Sequence, residues 1–572
     1  MSVELLQVTI VAVIVIVVVN SVASRLGVAG PLLLVLVGVG ISVLPMVPPI
    51  LVQPQLILVG VLPPLLYSAA VSAPAIELRR DFGAISGMAV MLVVISSLVL
   101  GCFFSWAIPS LGFPLAVALG AILSPTDAVA TSIVRKLGVP RRVVALLEGE
   151  SLLNDATALV LLRTAIAATA ASFSIWSTLG SFAWAVLSAS VIGVIIGYLT
   201  LRARAWIDNS VANTAMGFTV PYLAYLPTEA VGGSGLVAAV AAGVVVGQGA
   251  IRWLTPEQRI SDKLNWRTIE FVFEGAVFLI MGLELYGILE SNRSSDGGLW
   301  RGMWIAAVAL IILISVRAAY VAPLIRFHTW RVKKNARTRL SVHEDTREPA
   351  RYERATRAMK RATRISPRGD AEQRAGKTRA DIDYFEASPL TWKPTVIIVW
   401  AGMRGVVTLA AAQTLPRDTP ERDLLVLVAF LVAAGSLLVQ GLTLPALTRW
   451  LGLRDPGGDG LPREEIRELG KALRDEAATA LGHGQIRRPD RTPLPADILS
   501  ELAPATIDPL ALTVGDPDPR SSEVRLAILV FMRQRLHQIS KTGQYSTTAI
   551  RYVLDELDAS ELSVRLRLGN ET

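Results

Sequence analysis

Glu148-Gly149-Glu150-Ser151-Leu152-Leu153-Asn154-Asp155-Ala156-Thr157 sits inside an apolar run, 142–170, long enough to cross a bilayer. Three carboxylates and an amide in such a run decide how the chain is read. A charge near the bilayer centre is costly, so an intramembrane acid is a functional candidate by default. If the helix starts near Arg142, Asp155 lies ~20 Å along it, near mid-depth. Ser151 and Asp155 are four apart and share a face, and Glu150 and Asn154 form the neighbouring pair.

Two further runs carry matching oddities. The run 113–134 contains Ser124-Pro125-Thr126-Asp127. Pro125 removes a backbone donor and clashes with the preceding turn. At mid-membrane the freed carbonyls must line a cavity or be covered by protein. Carbonyls beside Asp127, with Ser and Thr hydroxyls, are the oxygen ligands a hard cation uses. The run 393–415 contains Trp400-Ala401-Gly402-Met403-Arg404-Gly405-Val406, a buried arginine between glycines, so this helix is also expected to break. Arg404 needs a partner, and Glu150 is the candidate. Two interrupted helices, one in each half of the chain, are the sequence sign of an inverted-repeat secondary transporter, with its site where they cross.

The rest of the chain fits a membrane bundle. Of 572 residues, 52% are hydrophobic and 18% charged, and mean hydropathy is +0.50, too apolar for a soluble chain of this size. Thirteen spans are expected: 5–22, 28–46, 51–71, 83–108, 113–134, 142–170, 174–200, 209–228, 233–250, 266–289, 302–326, 393–415 and 424–448. The predicted fold is therefore all-α and polytopic, with about thirteen transmembrane helices, two of them crossed and broken, plus a helical cytoplasmic tail. The domain reading is a transporter over 1–326 and 393–451, a basic cytoplasmic loop over 327–392, and a tail over 452–572. The first span has Glu4 and no basic n-region, so it reads as a retained helix, not a signal.

The net charge of +8 taken alone suggests an anionic partner. Its distribution says otherwise. Residues 326–393 carry 18 Lys/Arg against 9 Asp/Glu, and the remainder nets −1. One set of alternating short loops holds thirteen Lys/Arg, from Arg25 to Arg267; the other holds four, Arg293, Arg301, Arg417 and Arg422. The first set is then cytoplasmic, which puts the N-terminus outside and the tail inside. The basic loop reads as a positive-inside linker, with anionic-lipid contact or autoregulation as the sharper alternative. Nucleic acid is not an expected partner of a segment tethered to the membrane at both ends. One cysteine, Cys102, excludes a disulfide framework, and the four histidines lie outside the apolar runs. In the tail, 455–520 reads as mostly irregular, followed by helices at 521–540 and 546–568 broken at Gly543. Ile550, Val553, Leu554 and Leu557 share one face.

Ser124-Pro125-Thr126-Asp127, Glu148 through Asp155, and Gly402-Met403-Arg404-Gly405 resemble the cation–proton antiporter superfamily, in its Na⁺/H⁺ exchanger branch of NhaP and NHE type. Leu62-Pro63-Pro64-Leu65-Leu66-Tyr67 and Pro221-Tyr222-Leu223-Ala224-Tyr225 fit the same pattern. The resemblance covers roughly 1–326 and 394–451. It implies that Asp155 binds cation and proton in turn. Asn154 would stand in place of the second aspartate of electrogenic relatives. Asp127, Ser151 and the Thr126 main chain would help to hold Na⁺, and Glu150 would pair with Arg404. It also implies a homodimer in the cell membrane, and no cofactor beyond the transported ions. Two departures are Ala128 in place of a second proline and Ser68 where an acid often stands; the basic loop is also long.

Na⁺ and H⁺ cannot occupy one carboxylate together, and a neutral Asn154 leaves one negative charge for exchange. The expectation is electroneutral 1:1 exchange of Na⁺ (or Li⁺) for H⁺, without enzymatic chemistry. Ligand type does not separate Na⁺ from K⁺, so a K⁺/H⁺ or broad monovalent exchanger is the alternative. A channel lacks its repeated filter here, and a membrane sensor would leave the buried acids unexplained.

Overall fold

The computed structural model describes residues 3–26, 29–44, 53–170, 175–293, 298–344, 384–385, 389–453, 462–488, 492 and 519–569. The fold is an all-helical membrane bundle. Among the described residues, eight helices are long and apolar enough to cross a bilayer, and shorter apolar helices cover Gly30–Ser42, Leu56–Ser72 and Pro109–Leu123.

The first helices are α1 (Val3–Leu26), α2 (Gly30–Ser42) and α3 (Leu62–Ser72), which follows a π-helical stretch at Leu56–Val61. A short α4 (Ala75–Arg80) leads into α5 (Phe82–Ala107). The next membrane segment is in two pieces, α6 (Gly112–Leu123) and α7 (Ala128–Lys136). Ser124 through Asp127 between them are not helical, as Pro125 dictates. The helix that carries the acids, α8, runs unbroken from Arg141 to Ala170.

Then come α9 (Ile175–Arg204), α10 (Ser210–Ala230), α11 (Gly235–Trp253), α12 (Pro256–Leu283), α13 (Leu285–Arg293) and α14 (Gly298–Glu344). The second broken segment is α15 (Trp392–Trp400) and α16 (Val406–Gln413), followed by α17 (Arg422–Leu451). Small residues set the closest approach on one side. A Cβ on Gly243 or Gly247 of α11 would press into the Tyr67 or Val71 carbonyl of α3.

The tail departs from the sequence reading. Besides α19 (Pro519–Thr542) and α20 (Thr547–Gly569), a third helix, α18, covers Arg463–Gly482, where mostly irregular chain was expected. The prolines and most of the glycines that prompted that expectation fall on either side of it. Within it, Leu469, Leu473, Ala477, Ala480 and Leu481 recur on one face and are buried. They pack with Leu529, Leu536, Ile550, Val553 and Leu557 in a core separate from that of the membrane helices. Gly543 takes φ +70 at the break between α19 and α20.

This small bundle sits on the end of the membrane helices that bears the 73–81 and 254–263 turns. Glu77 accepts from the Thr547 amide at 2.9 Å, and Lys263 donates to Asp555 at 2.5 Å. Arg259 pairs with Asp558, and Arg551 Nη2 donates to the Val71 and Ala73 carbonyls, both at 3.0 Å.

The basic segment also touches this face. Asp81 and Arg142 form a fully buried ion pair at 2.8 Å. Tyr384 donates to Asp81 Oδ2 at 3.1 Å, and the Arg142 guanidinium lies 4.5 Å from the Phe385 ring centroid. Burial, and then the neighbouring Asp81 carboxylate, push the Tyr384 phenol up from its ordinary range, so it stays protonated as the donor. Apart from these two residues, 345–388 lies outside the described residues, as does most of the stretch read as irregular.

Candidate cation site at the crossing of two unwound helices

The two interruptions meet. The Asp127 amide donates to the Met403 carbonyl at 2.8 Å, joining the unwound segment 124–127 to the unwound segment 402–405. Two glycines permit the approach. A Cβ on Gly402 would lie 2.6 Å from Arg317 Nε, and one on Gly405 would overlap the Asp127 carboxylate. Gly405 itself is extended (φ −124, ψ −161), so its constraint is space rather than backbone strain.

Asp155 of α8 lies beside this crossing. Its residue is 8% exposed, and among the described residues no hydrogen bond or ion pair holds its carboxylate. The Asp127 carboxylate is the charged neighbour that acts on it. With Pro125, Leu159, Leu162 and Ala411 it lines a void of about 10 Å³, close to the room one water needs.

Asn154 faces the other way. Its Nδ2 donates to Thr126 Oγ1 at 2.8 Å and to the Thr126 carbonyl at 3.4 Å. Its buried Oδ1 has no donor among the described residues. Thr126 Oγ1 passes its own proton toward Glu150 Oε1 at 3.3 Å. Ser151 donates to the Glu148 carbonyl at 3.2 Å, which leaves the lone pairs of its hydroxyl oxygen available.

The expected Glu150–Arg404 pair is not formed. Glu150 is held by Arg317 of α14: Nη1 contacts Oε1, and Nη2 donates to Oε2 at 2.7 Å. Arg317 also donates to the Ile398 carbonyl, from Nε at 3.1 Å and from Nη2 at 3.0 Å. Arg404 instead lies among carbonyls at the end of a broken helix. Its Nε donates to Leu123 O at 3.0 Å and its Nη2 to Ser124 O at 3.4 Å; Nη1 contacts Gly402 O. The physical reason is that a helix broken in mid-membrane exposes unpaired carbonyls carrying the negative half of its dipole. A guanidinium satisfies them and needs no carboxylate. Ser436 of α17 fixes the Arg404 amide at 2.9 Å.

Arg317 and Ser436 are the residues that sequence reasoning missed. Arg317 has a signal, a charge in the middle of the apolar run 302–326 that calls for a partner. Ser436 has none, being one of many small residues in its helix. Glu270 accepts from Ser68 at 2.5 Å, and Glu284 accepts from Gln413 at 2.9 Å. No cluster of three or more His, Cys, Asp or Glu suited to a resident metal occurs among the described residues.

Crossed, unwound helices with acids at the crossing define a polytopic secondary transporter. The helical arrangement matches that of the sodium proton antiporter MjNhaP1 from Methanocaldococcus jannaschii. The TM-score is 0.54 at 16% identity, over 79% of this chain and 99% of that one, a likeness of fold. The chain belongs to the sodium/hydrogen exchanger family, whose transmembrane region it matches over residues 10–346 and 371–450. It is 27% identical to YjcE of Escherichia coli, named an uncharacterised Na⁺/H⁺ exchanger, over 89% of each chain. It is 28% identical to the Na⁺/H⁺ antiporter ApNhaP of Aphanothece halophytica, over 77% of this chain and 72% of that one. A sodium, potassium, lithium and rubidium/H⁺ antiporter of Bacillus pumilus is 28% identical, over 73% of this chain and 57% of that one. The protein is thus a multi-pass membrane cation/proton exchanger by family.

Proposed function

We propose that the protein exchanges Na⁺ (or Li⁺) for H⁺, one for one and without net charge movement, with Asp155 as the carboxylate over which the two compete. The observation that carries this reading is Asp155 itself, a buried acid beside Asp127 and the unwound backbone that no hydrogen bond or ion pair holds among the described residues. Asp127, Ser151 and the Thr126 main chain supply further oxygens to the cation. Asn154 is neutral and orients Thr126. Asp155 must be occupied by cation or proton before the site changes sides, which couples the two fluxes.

Glu150 and Arg317 act as a structural tie, and Arg404 caps the broken helix. The transporter comprises 1–326 and 393–451 in thirteen spans, the basic loop 327–392, and the tail 452–572. In this reading the protein works as a homodimer in a bacterial plasma membrane, with the N-terminus outside and the tail in the cytoplasm. The name of the Bacillus pumilus relative favours a second reading, a broader monovalent cation/H⁺ exchanger at the same carboxylate.

Everted vesicles with a pH-sensitive dye test both readings. Na⁺, Li⁺ and K⁺ are added separately, and potential is followed in parallel. Na⁺ or Li⁺ should relieve quenching with no change in potential; an equal K⁺ response selects the broader exchanger. Asp155→Asn should abolish every response while the purified variant melts as the parent does. Exchange retained in that variant removes the central assignment, and a current that follows Na⁺ removes the 1:1 stoichiometry.

A further inference from the structure

Between the tail bundle and the membrane helices lies a cavity of about 770 Å³, inside the roughly 300–1,000 Å³ range of small-molecule sites. Val71, Leu152, Val240 and Val244 give it apolar walls from α3, α8 and α11, and α19 and α20 roof it. Among the described residues, those that line it with a charge are all basic: Arg79, Arg80, Lys541 and Arg551.

Two of these are engaged. Arg80 Nη2 donates to the Gly543 carbonyl at 2.6 Å, and Arg551 holds the carbonyls at the end of α3. Arg79 and Lys541 stand at the rim, exposed, with no ion-pair partner among the described residues. His537, on the same lining, has both ring nitrogens shut off from solvent and without a hydrogen-bond partner among the described residues. Buried polar atoms left unpaired are rare in native proteins and call for an explanation. Lys541 is near enough to act on that ring.

An apolar chamber lined by two uncommitted cations and an unsatisfied imidazole has the chemistry of a site for an anionic amphiphile. We propose that it binds one: a single hydrocarbon chain ending in a phosphate or carboxylate. The chain lies among Leu152, Val240 and Val244, and the head meets Arg79, His537 and Lys541. The exchange site is not involved, so this binding stands apart from the transport reading.

Dodecyl phosphate titrated into the purified full-length protein in non-ionic detergent, followed by native mass spectrometry, tests the site. One molecule should bind per chain, saturably, in preference to inorganic phosphate and to dodecanol. The double variant Arg79→Gln/Lys541→Gln should weaken binding by about tenfold or more, the worth of one lost charge-assisted hydrogen bond. Val244→Trp, which fills the chamber, should prevent binding. Should that variant fail to fold, the double variant at the rim decides alone. A second arm uses nanodiscs containing lysophosphatidic acid. Its uptake supports a membrane source for the ligand, and binding of added dodecyl phosphate alone supports a soluble one. Binding of dodecanol as tight as that of dodecyl phosphate, or unchanged binding in the double variant, overturns the proposal.

Discussion

Arg317 and Arg404 are two buried arginines with different solutions to one problem. Arg317 meets a carboxylate; Arg404 meets carbonyls. Removing Arg317 strands Glu150, and breaking a buried pair on one side costs about 3–5 kcal/mol. Arg317→Ala should therefore lower the melting temperature sharply, and adding Glu150→Gln should restore much of it. Thermal unfolding of the two variants in detergent is the check; no recovery in the double variant would count against the pairing. The sequence made the need of each arginine for a partner legible, but not the partner. Charge complementarity offered Glu150 to Arg404, and it undervalued the acceptor strength of an unwound main chain.

Among elements, the broken helices were readable because Pro125 and the Gly402/Gly405 pair have local, one-residue effects on the backbone. The contact between them depends on tertiary packing, yet one trace of it lay in the sequence. Gly405 has no side chain because Asp127 fills that space. Gly405→Ala should cost about 1–3 kcal/mol as an overpacked substitution. It should also displace Asp127, so dye-monitored exchange falls more than stability does. If melting and exchange were both unchanged, the packing described at the crossing would be wrong. The helix α18 was illegible for the opposite reason. Its apolar face is clear at helical spacing, but the turn-rich chain on either side masked it.

Over the whole molecule, the tail is fastened to the membrane helices by polar contacts and by Ile76 and Ile251, which pack against a tail core that is otherwise a separate cluster. Such a joint can open without either part unfolding. Arg551→Ala removes donors to three successive carbonyls of 71–73, and each hydrogen bond to a charged group is worth about 1.5–3 kcal/mol. Hydrogen exchange in 547–569 should then quicken by at least about tenfold with the membrane helices unaffected. Protection that stays at the parental level would mean that the apolar contacts alone hold the tail.

The link between the Asp127 amide and the Met403 carbonyl belongs to the main chain. No ordinary side-chain replacement at either position deletes it; only proline at 127 would. Substitutions of Asp127 thus take away an oxygen ligand and leave that main-chain link in place, provided the side chain still fills the space beside Gly405. Asp127→Asn keeps that volume, so its loss of exchange with an unchanged melting temperature would be read as lost chemistry and not as a crossing that came apart.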